Sequence, residues 1–224
     1  MQQIMQNNQK YFDTIKFIKM KKYLAAIAVL SIVLFSCGNG ADSKKDAASN
    51  GKDSANSINE VIPAESIFNL KDTFKTQDNQ DFTLDKLKGK PTVVGMVFTH
   101  CGYACPRLTA DMVSVSDSLK GIDVNYLLVS FDVARDTPER LKVFANESGL
   151  DKKWTLLHGS DDAVRTLSVL LNVQYEKDAD GNFSHSNLIS VLDQQGRLKL
   201  QTEGLEANHS QTISTIKNLA KSKL

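Results

Sequence analysis

The sequence predicts an α/β layered domain, with helices on both faces of a central, mostly parallel sheet that ends in an antiparallel hairpin. Three observations predict it. Apolar, β-rich runs at 92–98, 123–131 and 154–157 alternate with helical periodicity at 106–119, 139–147 and 161–171, the order that builds parallel sheets. The run 123–131 is nearly continuously apolar, as a strand buried on both faces must be. Two further runs, 188–192 and 197–201, flank Asp193-Gln194-Gln195-Gly196 as a hairpin ahead of a closing helix at 210–219.

Element by element, the folded part begins at Pro63. Residues 67–71 and 74–76 read as short strands, Asp78-Asn79-Gln80 as a turn and 82–87 as a short turn of helix, before Gly89-Lys90-Pro91 breaks the chain. In helix 106–119, Leu108, Met112, Val115 and Leu119 fall four, three and four residues apart and share one face. Thr137 supplies an N-cap and Pro138 a first-turn proline for helix 139–147, which turns Leu141, Phe144 and Ala145 inward and closes at Gly149. Helix 161–171 buries Val164, Leu167, Leu170 and Leu171; 173–176 is extended, and Asp180-Gly181 turns the chain back. The closing helix keeps Ile213, Ile216 and Leu219 on one side.

Of the 224 residues, 41% are hydrophobic and 24% charged, an ordinary soluble composition. The formal charge of +1 hides an asymmetry: the first 36 residues hold five lysines and one aspartate, leaving 22 basic and 25 acidic residues beyond them. That balance argues against a nucleic-acid binder. Met20-Lys21-Lys22, the apolar run 23–35 and the ending Leu34-Phe35-Ser36-Cys37 resemble a bacterial lipoprotein signal. Residues 1–37 are accordingly expected to be a signal region, with Met20 an alternative start and Cys37 the site of lipid attachment. The 13-residue apolar run falls short of the about 20 residues that a spanning helix needs. Residues 38–62 are almost wholly small and polar, cannot offset their ordering entropy by burial, and are expected to form a flexible tether. The folded domain, 63–224, is thereby placed on the extracytoplasmic, periplasm-facing side of a bacterial membrane, with inner and outer membrane both open.

Two of the three cysteines, Cys101 and Cys105, lie where the strand 92–98 runs into Pro106 and a helix. A cysteine pair at the strand-to-helix corner of a βαβ unit reads as thioredoxin-like. Backbone N–H groups and the helix dipole at that corner are expected to favour thiolate over thiol at both sulfurs. Thiolates serve two chemistries, disulfide exchange and the binding of soft metals such as copper(I). Thioredoxin-type motifs place two residues between the cysteines, whereas Gly102-Tyr103-Ala104 places three. The wider bite makes a metal chelate plausible without forbidding a disulfide.

A dithiolate metal site wants a further ligand, and the histidines are His100, His158, His185 and His209. His158 ends a strand and His209 opens the last helix, far from the cysteine corner. His100 adjoins Cys101, but neighbouring side chains on extended backbone point to opposite faces. His185 follows the turn at Asp180-Gly181 and leads into the final hairpin, which in a thioredoxin-like topology packs beside the cysteine loop, so it is the best candidate. No proline follows Pro138, so the proline that thiol-disulfide enzymes of this fold place before the hairpin has no counterpart in Asn182-Phe183-Ser184-His185-Ser186.

Three stretches together resemble the Sco/SenC family of copper-binding, thioredoxin-like assembly factors of cytochrome c oxidase. Residues 98–106, Phe-Thr-His-Cys-Gly-Tyr-Ala-Cys-Pro, are similar to its CxxxCP motif; 130–139, with Asp132, Asp136, Thr137, Pro138 and Glu139, to its DxxxDTPE stretch; and Ser184-His185-Ser186, followed by Val191-Leu192-Asp193 and Gly196, to its ligand histidine before the last hairpin. The resemblance covers about residues 64–220. It implies that Cys101, Cys105 and His185 bind one copper ion, Cu(I) or Cu(II), and that the two cysteines can instead form a disulfide. It implies outer positions for Asp132 and Asp136 near the metal, although Asp136 beside Thr137-Pro138 equally suits helix capping. Tyr103 and Phe183 are expected to pack around the site.

The function implied is that of a metallochaperone, without turnover, whose partner is the copper-centre subunit of cytochrome c oxidase or another copper enzyme and whose lipid anchor binds the membrane. The alternative is a tethered thiol-disulfide reductase that keeps a copper enzyme's metal-binding cysteines reduced, an oxidoreductase if an enzyme at all. A peroxidase of the peroxiredoxin kind would need a Pro-x-x-x-Thr-x-x-Cys pattern, which the sequence lacks. The N-terminal reading has a direct check: mass spectrometry of the mature protein is expected to find Cys37 as first residue, bearing a diacylglyceryl group. An unmodified Cys37 would refute it.

Overall fold

The computed structural model describes residues 62–205 and 208–222. The signal region, Cys37 and the tether up to residue 61 lie outside the described residues. Among the described residues nine strands and four α-helices follow in the order β1 (Phe74–Thr76), β2 (Asp81–Phe82), β3 (Thr92–Val97), α1 (Ala104–Ser118), β4 (Asn125–Ser130), α2 (Pro138–Glu147), β5 (Trp154–His158), α3 (Asp161–Leu170), β6 (Tyr175–Lys177), β7 (Phe183–His185), β8 (Leu188–Leu192), β9 (Leu198–Glu203) and α4 (Ser210–Lys221). Among the described residues no helix is long and apolar enough to cross a membrane.

Seven strands form one sheet in the order β2-β1-β5-β4-β3-β8-β9, while β6 and β7 pair as a separate ribbon. The central β5, β4 and β3 run parallel, and β8 and β9 close the sheet as the expected antiparallel hairpin. All six residues of β3 are buried, as a strand covered on both faces requires. Gly95 keeps one of those faces open for α1: a Cβ there would lie 2.7 Å from the Met112 sulfur and 3.3 Å from Leu128. Helices α1 and α4 pack on each other over this face. On the opposite face Gln201, which also reaches Ser190, donates to the Leu171 carbonyl at the end of α3 at 2.5 Å.

Three local expectations change. Residues 67–71 form no strand: Ile67–Asn69 is a turn of 3-10 helix, because the Ser66 hydroxyl caps the Phe68 N–H at 3.1 Å and both Ile67 and Phe68 are buried. The segment 82–87 divides into the short strand β2 and a 3-10 turn at Leu84–Leu87. Helix α1 starts at Ala104, two residues ahead of Pro106. Proline is tolerated in a first turn because those N–H groups lack intrahelical partners, so Cys105 lies inside the helix and not before it.

Where the strands end above α1, rings fill the space between sheet and ribbon. Phe131, just after β4, has its centroid 5.4 Å from Phe98, 5.0 Å from Tyr175, 5.0 Å from Phe183 and 5.0 Å from the His185 imidazole. A two-stranded ribbon is marginal on its own, and this cluster supplies the apolar seat that β6 and β7 need. Phe131→Ala is therefore expected to cost about 3–5 kcal/mol of folding stability. Urea unfolding measures it, and a loss below about 1 kcal/mol would show that the cluster is not a support.

Candidate metal centre

The strand β3 and helix α1 deliver the two sulfurs. After Val97 the chain leaves the sheet, and the Phe98 N–H donates to Cys105 Sγ at 3.4 Å while the Cys105 N–H donates to Cys101 Sγ at 3.3 Å. The second bond uses a first-turn N–H that the helix leaves without a partner. Both cysteines are free thiols, Cys101 half-buried and Cys105 fully buried.

Their protonation differs, contrary to the expectation of two thiolates. Partial burial raises the Cys101 thiol, but N–H groups of Cys105, Tyr103 and Ala104, with the Cys105 side chain, bring it below its ordinary value. Burial dominates at Cys105 and pushes that thiol far up; the Phe98 N–H offsets it only partly, and the charges of Cys101 and Asp136 push the same way. A helix terminus does not rescue a sulfur removed from water.

The third group is His185 at the end of β7. Its Nε2 lies 3.8 Å from Cys105 Sγ, and its Nδ1 lies 3.3 Å from the Ser186 carbonyl oxygen. A carbonyl can only accept, so the proton sits on Nδ1 and the Nε2 lone pair is turned toward the sulfurs, the arrangement that orients metal-binding histidines. Burial among rings lowers the imidazole pKa, though the Ser186 contact works the other way, and the neutral form prevails. The two Sγ atoms and one imidazole nitrogen lie within 4.8 Å of one another. Three donors at about 2.0–2.3 Å from one ion stand about 3.5–4 Å apart, so the set fits one soft metal with little adjustment.

His100, Asp132 and Asp136 also cluster within 4.8 Å, but their bonding is that of a brace. Asp136 accepts from the Thr99 N–H at 2.8 Å, the Thr99 hydroxyl at 2.6 Å and the Ser130 hydroxyl at 2.6 Å. Asp132 pairs with Arg135, whose Nη2 donates to the Gly181 carbonyl in the β6–β7 turn at 2.5 Å. Asp136 thus holds the residue two before Cys101, and Arg135 holds the ribbon carrying His185. Helix α2 is capped by the Thr137 hydroxyl instead of Asp136. Sequence reasoning missed Thr99, Ser130 and Arg135, since a hydroxyl or guanidinium bridging two loops leaves no spacing signal.

His158 and His209 do not join the sulfurs; His158 pairs with Lys75 across β1 and β5, and His209 Nε2 faces Asp111 at 3.5 Å. Phe183 packs as expected, 5.2 Å from Phe98. Tyr103 does not: at the N-cap position of α1, where its side chain makes no capping bond, it is 65% exposed.

Comparison with known proteins places the chain in a family. The family model described as SCO1/SenC matches residues 64–221. Among solved structures, a SCO1/SenC family lipoprotein from Bacillus anthracis is 29% identical with a TM-score of 0.63, over 66% of this chain and 92% of that one. BsSco, described as having a disulfide switch and as a member of the Sco family of cytochrome c oxidase assembly proteins, is 27% identical with a TM-score of 0.61, over 67% and 92%. Copper-bound ScoI of Bradyrhizobium japonicum is 25% identical with a TM-score of 0.57, over 66% and 96%.

The thiol asymmetry is open to measurement. Iodoacetamide on the reduced, metal-free domain is expected to alkylate Cys101 about tenfold or more faster than Cys105 near neutral pH, since the thiolate is the nucleophile. Peptide mapping of the singly labelled chain reports the site, and equal labelling would contradict the assignment.

Proposed function

Because the chain belongs to the SCO1/SenC family, we propose that it is a copper metallochaperone that holds one copper ion through Cys101, Cys105 and His185 and delivers it to the dicopper centre of cytochrome c oxidase. The observation that carries this reading is the convergence of two sulfurs and one imidazole nitrogen within 4.8 Å. Thiolates select soft ions and imidazole suits copper in either oxidation state. The copper is cargo, and the chain's part is to bind it reversibly: Cys101 is half-exposed and can be approached, while Cys105 and His185 enclose the inner side. Copper-bound ScoI and BsSco support the cargo and the recipient respectively. A lipid on Cys37 and a tether over 38–62 would hold the domain at an extracytoplasmic membrane surface, a placement supported by the lipoprotein description of the Bacillus anthracis relative.

A second reading has an observation of its own. Cys101 has the lowered pKa and access of an attacking thiol, and Cys105 stands behind it as a resolving one. In that reading Cys101 attacks a partner's disulfide, Cys105 displaces the mixed disulfide, and two electrons pass to the partner as a Cys101–Cys105 disulfide forms.

Copper titration of reduced residues 38–224 tests the first reading. One copper per chain is expected, with sulfur-to-copper(II) charge-transfer bands that are lost or strongly shifted in His185→Ala. The affinity of that variant is expected to fall by more than the about 10–100-fold that removing a ligand's outer partner costs, while its thiols still exchange. A reduced wild type that retains no copper would overturn the chaperone reading in favour of the reductase.

A further inference from the structure

We propose that Tyr103 and Arg107 form the contact point through which the domain docks its copper-accepting partner, a protein whose metal site is rimmed by carboxylates around a recess for a phenol ring. The inference rests on the copper-carrier reading above and adds to it a surface and the chemistry of what meets that surface.

Tyr103 lies between the two cysteines, yet packing does not account for it. Its side chain is 65% exposed, and the guanidinium of Arg107 sits 3.9 Å from its ring centroid. The pair therefore stands out from the loop as one preformed unit, with less side-chain freedom to lose on association than two unstacked residues have. Tyrosine and arginine are the types that dominate binding energy at interfaces.

Arg107 also breaks a local rule. It lies in the first turn of α1, where the dipole and unpaired N–H groups favour acidic side chains, and that turn contains none. Asp111, one turn later, faces His209, and Arg107 makes no ion pair among the described residues. Residues 98–110 include no acidic side chain at all. The surface of the cysteine loop thus includes exposed His100, Gly102, Tyr103, Pro106 and Arg107, with the Arg107 cation beside an aromatic tip. The contact that Arg107 gains in return is the stack on an exposed ring, and a local preference given up for so little points to a functional position.

Handover brings a partner onto this patch. Copper crosses without change of oxidation state: its bonds to Cys101, Cys105 and His185 break as bonds to the acceptor's ligands form, and the vacated thiolates take up protons from solvent. The acceptor's ligands must therefore come within bonding distance of the copper held at Cys101, two residues from Tyr103. A ring recess gives that encounter its register, and carboxylates facing Arg107 hasten it in a salt-dependent way.

The test loads the detergent-solubilised full chain with Cu(I) and follows transfer to two acceptors: bicinchoninate, too small to need docking, and the copper-free soluble copper-site domain of cytochrome c oxidase. For Tyr103→Ala and Arg107→Gln, copper stoichiometry and transfer to bicinchoninate are expected to stay within about twofold of wild type, whereas transfer to the protein slows about tenfold or more. Tyr103→Phe restores the rate, and Arg107→Gln loses the salt dependence. Variants that match wild type toward the protein acceptor overturn the proposal, as does a wild type that holds copper but passes none to that domain. A wild type that binds no copper instead removes the carrier reading on which the proposal rests.

Discussion

The Asp136 carboxylate, completely buried in the loop after β4, accepts hydrogen bonds from Thr99 and Ser130 and so joins the ends of β3 and β4 directly beneath the cysteine loop. A lone buried carboxylate costs several kcal/mol; bonds to a charged acceptor return about 1.5–3 kcal/mol each, so three of them offset the cost. The charge is also matched at one remove. The Thr99 hydroxyl donates to Asp136 and accepts from Arg140 Nε at 3.0 Å, which places a single oxygen between anion and cation. Because Thr99 donates both its N–H and its hydroxyl to the same carboxylate, the backbone cannot rotate there without losing both bonds. The position of Cys101 follows from that lock.

His185 is set by a different kind of force. It belongs to a ribbon that shares no backbone pairing with the main sheet, so its distance to the sulfurs depends on ring packing around Phe131 and on Arg135, which reaches from Asp132 to the β6–β7 turn. The two cysteines are thus fixed by the main chain and a buried charge, and the histidine by apolar contacts and one guanidinium. A metal bridging them ties together two parts of the fold that are otherwise held independently.

Much of this was legible in the sequence because it rests on periodicity. The continuous apolar run of β4, the four-three-four spacing of Leu108, Met112, Val115 and Leu119, and the Thr137-Pro138 helix start all recur in the structure, since burial imposes those patterns directly. Cys101, Cys105 and His185 converge because the order of strands brings a strand-to-helix corner beside the residues preceding β8. What remained hidden depends on contacts between loops. Ser66 capping the turn at Ile67 carries no periodic signal, nor does Thr99 bound to Asp136, and the start of α1 ahead of Pro106 follows from a proline being admissible in a first turn. Placing Cys105 inside that turn buries its sulfur, and burial, which sequence spacing does not reveal, reverses its acidity.

That reversal decides how one dithiol can serve two chemistries. In the proposed copper site a metal ion would meet Cys101 first, the sulfur that is both half-exposed and the readier to ionise. Cys105 keeps its proton in the apo protein because the Phe98 N–H only partly compensates a buried thiolate, and the charges of Cys101 and Asp136 oppose one. A cation bound at Cys101 would supply that compensation, and the second proton would leave as the second sulfur–metal bond formed. Without a metal the same arrangement protects Cys105 from attack and keeps it as the resolving thiol behind Cys101. His185 is not among the groups that set the Cys101 thiol, and its Nε2, facing Cys105, would complete a metal's coordination on the inner side. On the proposed reading the imidazole would tip the dithiol toward metal binding, and only while the ribbon stays seated on Phe131.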